Sequence, residues 1–139
     1  MSANLRPDMP VDVVSDVVCP WCFIGKRRLE KAMALVPDIR LNVRWRPYFL
    51  NPWIPRQGIS RLVYLVTKFG SVAGYARIAE RIAEAAAGEG LVYAVDRIAR
   101  QPNTLDCHRL IRWAGASDGR GRGDGAGRMK QRLMEFYFS

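Results

Sequence analysis

With 139 residues, of which 49% are apolar and 25% charged, the chain is long enough for one domain with its own core and too apolar for a disordered segment. No run of about 18 apolar residues occurs, so a membrane span is not expected, and Met1 to Pro10 has no apolar stretch of the kind a secretory signal requires. The formal charge of +9 rests on 22 basic residues, eighteen of them Arg, but they are scattered along the chain and alternate with apolar residues, which describes a solvated outer face and argues against a nucleic-acid surface.

Residues 10–14, Pro-Val-Asp-Val-Val, read as a short strand, and Ser15-Asp16 reads as the turn that follows it. Val17 and Val18 lead into Cys19-Pro20-Trp21-Cys22, where Pro20 suits the first position of a helix because its missing amide hydrogen would have no partner there. From Cys22 the apolar positions Cys22, Gly25, Leu29, Ala32 or Met33, and Val36 recur at helical spacing, and Pro37 stops the helix. Over 39–46, Ile39, Leu41, Val43 and Trp45 alternate with Arg40, Asn42, Arg44 and Arg46, the period of a strand with one buried and one wet face. Strand, helix and strand at this separation predict a parallel βαβ unit.

Pro47, Pro52 and Pro55 interrupt regular structure through a loop that carries Tyr48, Phe49 and Trp53. Beyond Ser60, a suitable N-cap, helices are expected over 61–69, ending at Gly70, and over 72–87, stopped by Gly88 and Gly90. Leu91 to Ala94 look extended. Asn103 and Thr104 cap a further helix bearing Leu105, His108, Leu110, Ile111 and Trp113. The glycine-rich stretch 115–127 reads as a flexible loop, and 128–138 resumes helical spacing through Met129, Leu133 and Phe136 or Tyr137.

The chemistry concentrates at Cys19 and Cys22. Two cysteines separated by Pro20-Trp21, after a strand and at the opening of a helix, form a redox signal. The unpaired amides and positive dipole of a helix start favour a thiolate. Cys19, expected to be exposed, is the predicted nucleophile, with a pKa below the free value of about 8.5. Cys22, one turn deeper, is the predicted resolving thiol that releases a mixed disulfide. Trp21 is suited to a partner contact, whereas Lys26 and Arg27 lie toward the wrong end of the helix to help much. The competing readings are that both cysteines are small core residues, or that Cys107-His108 joins them around zinc; adjacent helical residues point about 100° apart, which disfavours the second. Cys107 reads as a buried small hydrophobe, His108 as a packed or capping histidine, and Trp45 and Trp113 as core. No metal and no organic cofactor is expected.

Ser15-Asp16-Val17-Val18-Cys19-Pro20-Trp21-Cys22-Phe23-Ile24-Gly25-Lys26-Arg27 resembles the active-site segment of DsbA-family thiol–disulfide oxidoreductases, the FrnE-like branch in particular. The likeness continues through Trp45-Arg46-Pro47-Tyr48, Leu50-Asn51-Pro52, and Pro102-Asn103-Thr104 with His108-Arg109-Leu110. It implies an α/β, thioredoxin-like fold with an inserted helical domain: a thioredoxin-like βαβ half over 10–58 and a helical insertion over 59–139. It also implies redox roles for Cys19 and Cys22. The family's later strands and cis-proline loop have no counterpart here, so the chain is expected to be a fragment, a truncated reading frame or a decayed copy of that fold.

The implied partner is a protein or small-molecule thiol or disulfide, glutathione among them. A cytoplasmic setting is expected, with no nucleic acid or membrane partner; the oligomeric state is open. Two alternatives stay in view. One is a truncated non-enzymatic remnant, or an interaction module that binds a partner. The other is a glutathione-dependent isomerase or transferase of the 2-hydroxychromene-2-carboxylate isomerase type, whose members resemble the same architecture but carry serine where Cys19 stands.

Overall fold

The computed structural model describes residues 8–117 and 124–139. Strand β1 (Asp8–Ser15) leads into helix α1 (Pro20–Leu35) and strand β2 (Arg40–Pro47), and the two strands pair in parallel from Asp8↔Arg40 to Ser15↔Pro47. The alternation seen in the sequence is kept. Leu41, Val43 and Trp45 are half-buried, while Arg40, Asn42, Arg44 and Arg46 are exposed. On the outer face Arg44 chelates the Asp12 carboxylate at 2.8 and 3.0 Å, and Arg46 adds a third bond at 3.0 Å. Some of the basic charge is thus spent in a solvated cross-strand network.

Strand β3 (Ile59–Ser60) runs into helix α2 (Arg61–Phe69); helix α3 (Val72–Gly88) follows. Ser60 and Ser71 cap these helices through their hydroxyls, at 3.2 Å to the amide of Val63 and 2.9 Å to that of Gly74. Gly70 ends α2 at φ 80°, a conformation a Cβ would oppose. The expected extension over Leu91–Ala94 forms no strand; a single 3-10 turn (Val95–Arg97) and strand β4 (Arg100–Gln101) come next, β4 pairing antiparallel with β3. Two residues per strand are too few to leave a periodic signal, so this bridge was not visible in the sequence.

Helix α4 (Leu105–Ser117) and helix α5 (Gly125–Phe138) reach into the glycine-rich stretch from both sides, correcting the loop expected over 115–127; the remainder of that loop, 118–123, lies outside the described residues. Asp124 explains the early start of α5. Its carboxylate caps the amide of Gly127 at 2.8 Å and accepts the Trp45 indole N–H at 3.3 Å, fastening the helix to β2. A Cβ on Gly127 would collide with the Asp124 carboxylate, so a larger residue there must displace the cap.

The main core joins Val17, Val18, Phe23, Ile98, Ile111, Met134 and Phe138. Phe138 stacks on Phe23 with centroids 5.3 Å apart, bringing the end of α5 against α1. Burying side chains of this size stabilises by about 1.5–3 kcal/mol each. Trp113 corrects an expectation. It is 63% exposed because the buried stripe of α4 runs through His108 and Ile111, and Trp113 lies about 200° round the helix from Ile111.

Candidate active site

The loop from β1 to α1 is held by a carboxylate. Asp16, 1% exposed, accepts the amides of Val17 at 2.8 Å and Leu50 at 2.9 Å and the Thr104 hydroxyl at 3.2 Å. His108 Nε2 lies 3.1 Å from both Asp16 Oδ1 and the Tyr48 carbonyl oxygen; two acceptors require that this nitrogen carry its hydrogen. Burial alone would raise the Asp16 carboxyl, but the bonds from His108, the Leu50 amide and Thr104 hold it below the ordinary carboxylate range. Asp16 therefore ties together the segments after β1, after β2 and before α4. In the sequence it reads as a turn residue; the signal that could have revealed it is an acid beside Ser15 between two valine pairs, three positions before the first cysteine.

Cys19 is the N-cap of α1, with an extended backbone (φ −91°, ψ 111°), and its Sγ accepts the amide hydrogen of Cys22 at 3.3 Å. Pro20 follows with no amide hydrogen to satisfy, as its residue type requires. The Cys19 carbonyl accepts the amides of Cys22 and Phe23, both at 3.1 Å, and closes the first turn. The two cysteines approach to 2.9 Å, a small closure from the ~2.05 Å of a sulfur–sulfur bond, and neither they nor Cys107 are bridged.

Sulfurs in contact share a proton and titrate as a unit. The hydrogen bond with Cys19 draws Cys22 down to about 6 against the opposing cost of burial, helped by the Asp16 backbone and the positive charge of Lys130. Cys19 is pushed up in return, by the bond with Cys22 and then by burial, while the amides of Cys22 and Trp21 pull the other way. The dithiol thus carries one proton and one negative charge near neutral pH. The ionisation expected at Cys19 alone is spread over the pair.

Both cysteines are half-buried, where an exposed Cys19 and a deeper Cys22 were expected. What separates them is access. A groove of about 250 Å³ has Cys19, Pro20 and Trp21 on one lip, and Cys22 does not line it. Trp21 is 49% exposed beside it. A larger cavity of about 620 Å³ opens between Trp45, Phe49, His108 and Lys130 and reaches neither thiol of the pair.

Behind the pair lies a residue without a local sequence signal. Lys130 of α5 is 1% exposed, donates to the Ser15 carbonyl at 3.5 Å and sits 5.5 Å from the centre of the Trp45 ring. Burial lowers its pKa, and the charges of Cys22 and Asp16 oppose that shift. Lys26, also buried, pairs with Glu30 and lies 5.7 Å from the same ring. Cys107 packs half-buried against the core, with its thiol pushed up by burial. Among the described residues no three His, Cys, Asp or Glu side chains converge as a metal site, so the zinc reading has no geometric support. No helix among them is long and apolar enough to cross a membrane.

Comparison with known proteins returns the same architecture. The crystal structure of a probable DsbA oxidoreductase from Streptomyces coelicolor superposes with a TM-score of 0.76 at 32% identity, over 94% of this chain and 54% of that one. The chain thus spans about half the length of that protein. The uncharacterised protein YwbO of Bacillus subtilis is 40% identical over 42 residues, 30% of this chain and 20% of the relative. The family model for the DSBA-like thioredoxin domain matches residues 10–138, and the α/β fold with paired cysteines at the head of α1 agrees with it. The chain belongs to the DSBA-like thioredoxin domain family.

Proposed function

We propose that this chain carries the redox centre of a thiol–disulfide oxidoreductase of the FrnE-like branch, with Cys-Pro-Trp-Cys as the working dithiol. The observation that carries this reading is the contact of the two sulfurs at the N-terminus of α1, with Cys19 alone open to the adjoining groove. Family membership and the oxidoreductase match support it.

In the reductive direction, Cys19 as thiolate attacks one sulfur of a substrate disulfide. The substrate S–S bond breaks, a mixed disulfide forms on Cys19, and one thiolate leaves. The Cys22 thiolate then attacks Cys19 Sγ, the protein S–S bond forms, and the second substrate thiolate leaves. Two electrons pass from protein to substrate, and the one proton of the dithiol monoanion together with one from solvent ends on the two released thiols. For the first attack the shared proton must pass to Cys22, a transfer their contact permits; the amides of Cys22 and Trp21 then receive the charge on Cys19. The reverse sequence oxidises a substrate dithiol. A reducing, cytoplasmic compartment fits a dithiol resting state, and a protein disulfide or a small one such as glutathione disulfide fits the chemistry.

Insulin reduction by the wild type, Cys19→Ser and Cys22→Ser tests the reading. Turnover is expected from the wild type only, and a trapped mixed disulfide on Cys19 in Cys22→Ser. Equal activity of all three chains rejects the redox assignment. Glutathione binding that survives in Cys19→Ser, with glutathione-dependent isomerisation, points instead to the isomerase class.

A further inference from the structure

The groove beside Cys19 is apolar on its walls and cationic at one side. Tyr64, Phe69 and Tyr75 supply aromatic surface, and Arg61 and Lys68 of α2 supply charge. Neither cation has a carboxylate partner among the described residues. Lys68 donates to Asn51 Oδ1 at 2.8 Å and lies 5.5 Å from the centre of the Tyr64 ring. Arg61 donates to Gln101 Oε1 at 2.6 Å and to the Tyr137 hydroxyl at 3.2 Å, and it stands over the rings of Tyr64 and Tyr75 at 5.1 and 5.2 Å. Every group it touches is neutral. Its Nε and the Nδ2 of Asn51 are buried without a hydrogen-bond partner, so two donors in this region are unmet.

Several other cations pair with carboxylates, Arg28 and Lys31 with Glu89, Arg44 and Arg46 with Asp12, and Arg56 with Asp106, while Arg100 and Lys130 meet carbonyl oxygens. The nearby carboxylate of Asp16 is already engaged by four donors. The charge on Cys19 is felt at Lys68, which places the cation within electrostatic reach of the reacting sulfur. Arg61, half-buried on the groove wall, and Lys68, exposed at its rim, are both held by neutral partners and are open to an anion that enters the groove. A groove of about 250 Å³ has room for a small disulfide beside Cys19. Small thiols derived from amino acids carry their negative charge as carboxylate, the anion that an Arg fork and a Lys point charge match.

We propose that this groove selects small disulfides that bear a carboxylate, with Lys68 and Arg61 receiving the carboxylate while Cys19 attacks the sulfur. The assignment rests on the disulfide-exchange reading above and adds the substrate class. The pre-reduced full chain is the only reductant: one protein dithiol and one substrate disulfide give one protein disulfide and two small thiols in a single turnover.

The test uses three disulfides of similar size: dithiodiglycolate (anionic), bis(2-hydroxyethyl) disulfide (neutral) and cystamine (cationic). Each single-turnover rate is divided by the rate of dithiothreitol with the same disulfide, which removes intrinsic reactivity. The normalised rate is expected to be highest for dithiodiglycolate. Lys68→Gln should lower that rate by about three- to tenfold more than it lowers the rate with the neutral disulfide, and Lys68→Arg should restore it. Equal normalised rates in the wild type, or an equal loss for all three disulfides in Lys68→Gln, overturn the proposal.

Adipate, the sulfur-free analogue of dithiodiglycolate, separates the two layers of the argument. In a nuclear magnetic resonance titration it should perturb the signals of Lys68, Arg61 and Tyr64 whether or not exchange occurs. No perturbation there overturns the carboxylate site. Binding of adipate with no reaction of any disulfide overturns the exchange reading and leaves the carboxylate site standing.

Discussion

Replacing Asp16 with Asn tests whether a buried carboxylate organises the redox loop. The two residues have nearly the same shape, but four donors converge on the Asp16 carboxylate: Val17 N–H and His108 Nε2 on Oδ1, Leu50 N–H and Thr104 Oγ1 on Oδ2. An amide offers one acceptor oxygen and one donor nitrogen. In either orientation of the substituted side chain, one backbone amide, of Val17 or of Leu50, faces an NH2 group and loses its partner. Thr104 can turn to accept and His108 can keep donating to the Tyr48 carbonyl, but the backbone amides have no alternative partner. A buried donor left unmet costs about 1–3 kcal/mol, and weaker bonds to a neutral oxygen add to it, so about 2–4 kcal/mol is expected in total. For a domain of this size that corresponds to a fall in Tm of about 10 °C.

The assay is denaturant and thermal unfolding followed by circular dichroism, repeated across pH. The sign of the pH dependence follows from the depressed carboxyl. Its stabilisation is present above the unfolded value of about 3.9 and is lost as pH falls through the lower, folded value. Wild type should therefore lose stability below pH ~4, and Asp16→Asn should lose less over the same range. A destabilisation below about 0.5 kcal/mol, within the range of an ordinary surface change, would refute the reasoning. So would an acid limb in the variant as steep as that of the wild type.

Three further outcomes are expected. The far-ultraviolet thiolate absorbance of the reduced chain should show one thiolate titrating near 6, and Cys19→Ala should move Cys22 up toward an ordinary thiol by removing its main hydrogen bond; a first step at about 8.5 in the wild type contradicts the shared-proton geometry. Lys130→Met removes the buried cation that lowers Cys22, so the same titration should shift upward, with folding stability held or raised because a buried charge with one long hydrogen bond gives way to apolar packing; an unchanged midpoint shows that Lys130 does not act on the pair. Two glycine substitutions should have opposite signs: Gly127→Ala, whose Cβ meets the Asp124 carboxylate, should destabilise by about 1–2 kcal/mol through the lost cap, whereas Gly25→Ala, with nothing within 4 Å, should stabilise by about 0.5–1 kcal/mol. Denaturant midpoints decide, and a gain in Gly127→Ala is the adverse result.

Local interactions account for what could be read along the chain. The alternation of Leu41, Val43 and Trp45 with Arg and Asn placed β2 to within a residue, because a strand's period of two is written in neighbouring side chains. Pro20 marked a helix start because the first helical position needs no amide hydrogen, and Ser60 because an N-cap is satisfied within three residues. The Cys19–Cys22 spacing predicted a helix-capped pair on the same grounds. The glycine-rich stretch misled because Gly125 and Gly127 disfavour a helix by propensity, yet Asp124 caps it and Met134 and Phe138 bury their side chains against α1 and α4.

The sequence by itself determined the βαβ unit, most of the helix bounds and the pairing of two cysteines at a helix N-terminus, since each depends on residues within a turn or a pleat of one another. Tertiary structure alone decided what surrounds that pair. Asp16 meets Thr104 and His108 from 88 and 92 positions away, and Lys130 reaches the Ser15 carbonyl across 115. Arg61 and Lys68 come to the groove of Cys19 on a different helix. Charges at such separations act on a thiol only once packing has excluded the water between them, and no local pattern records where packing will bring them.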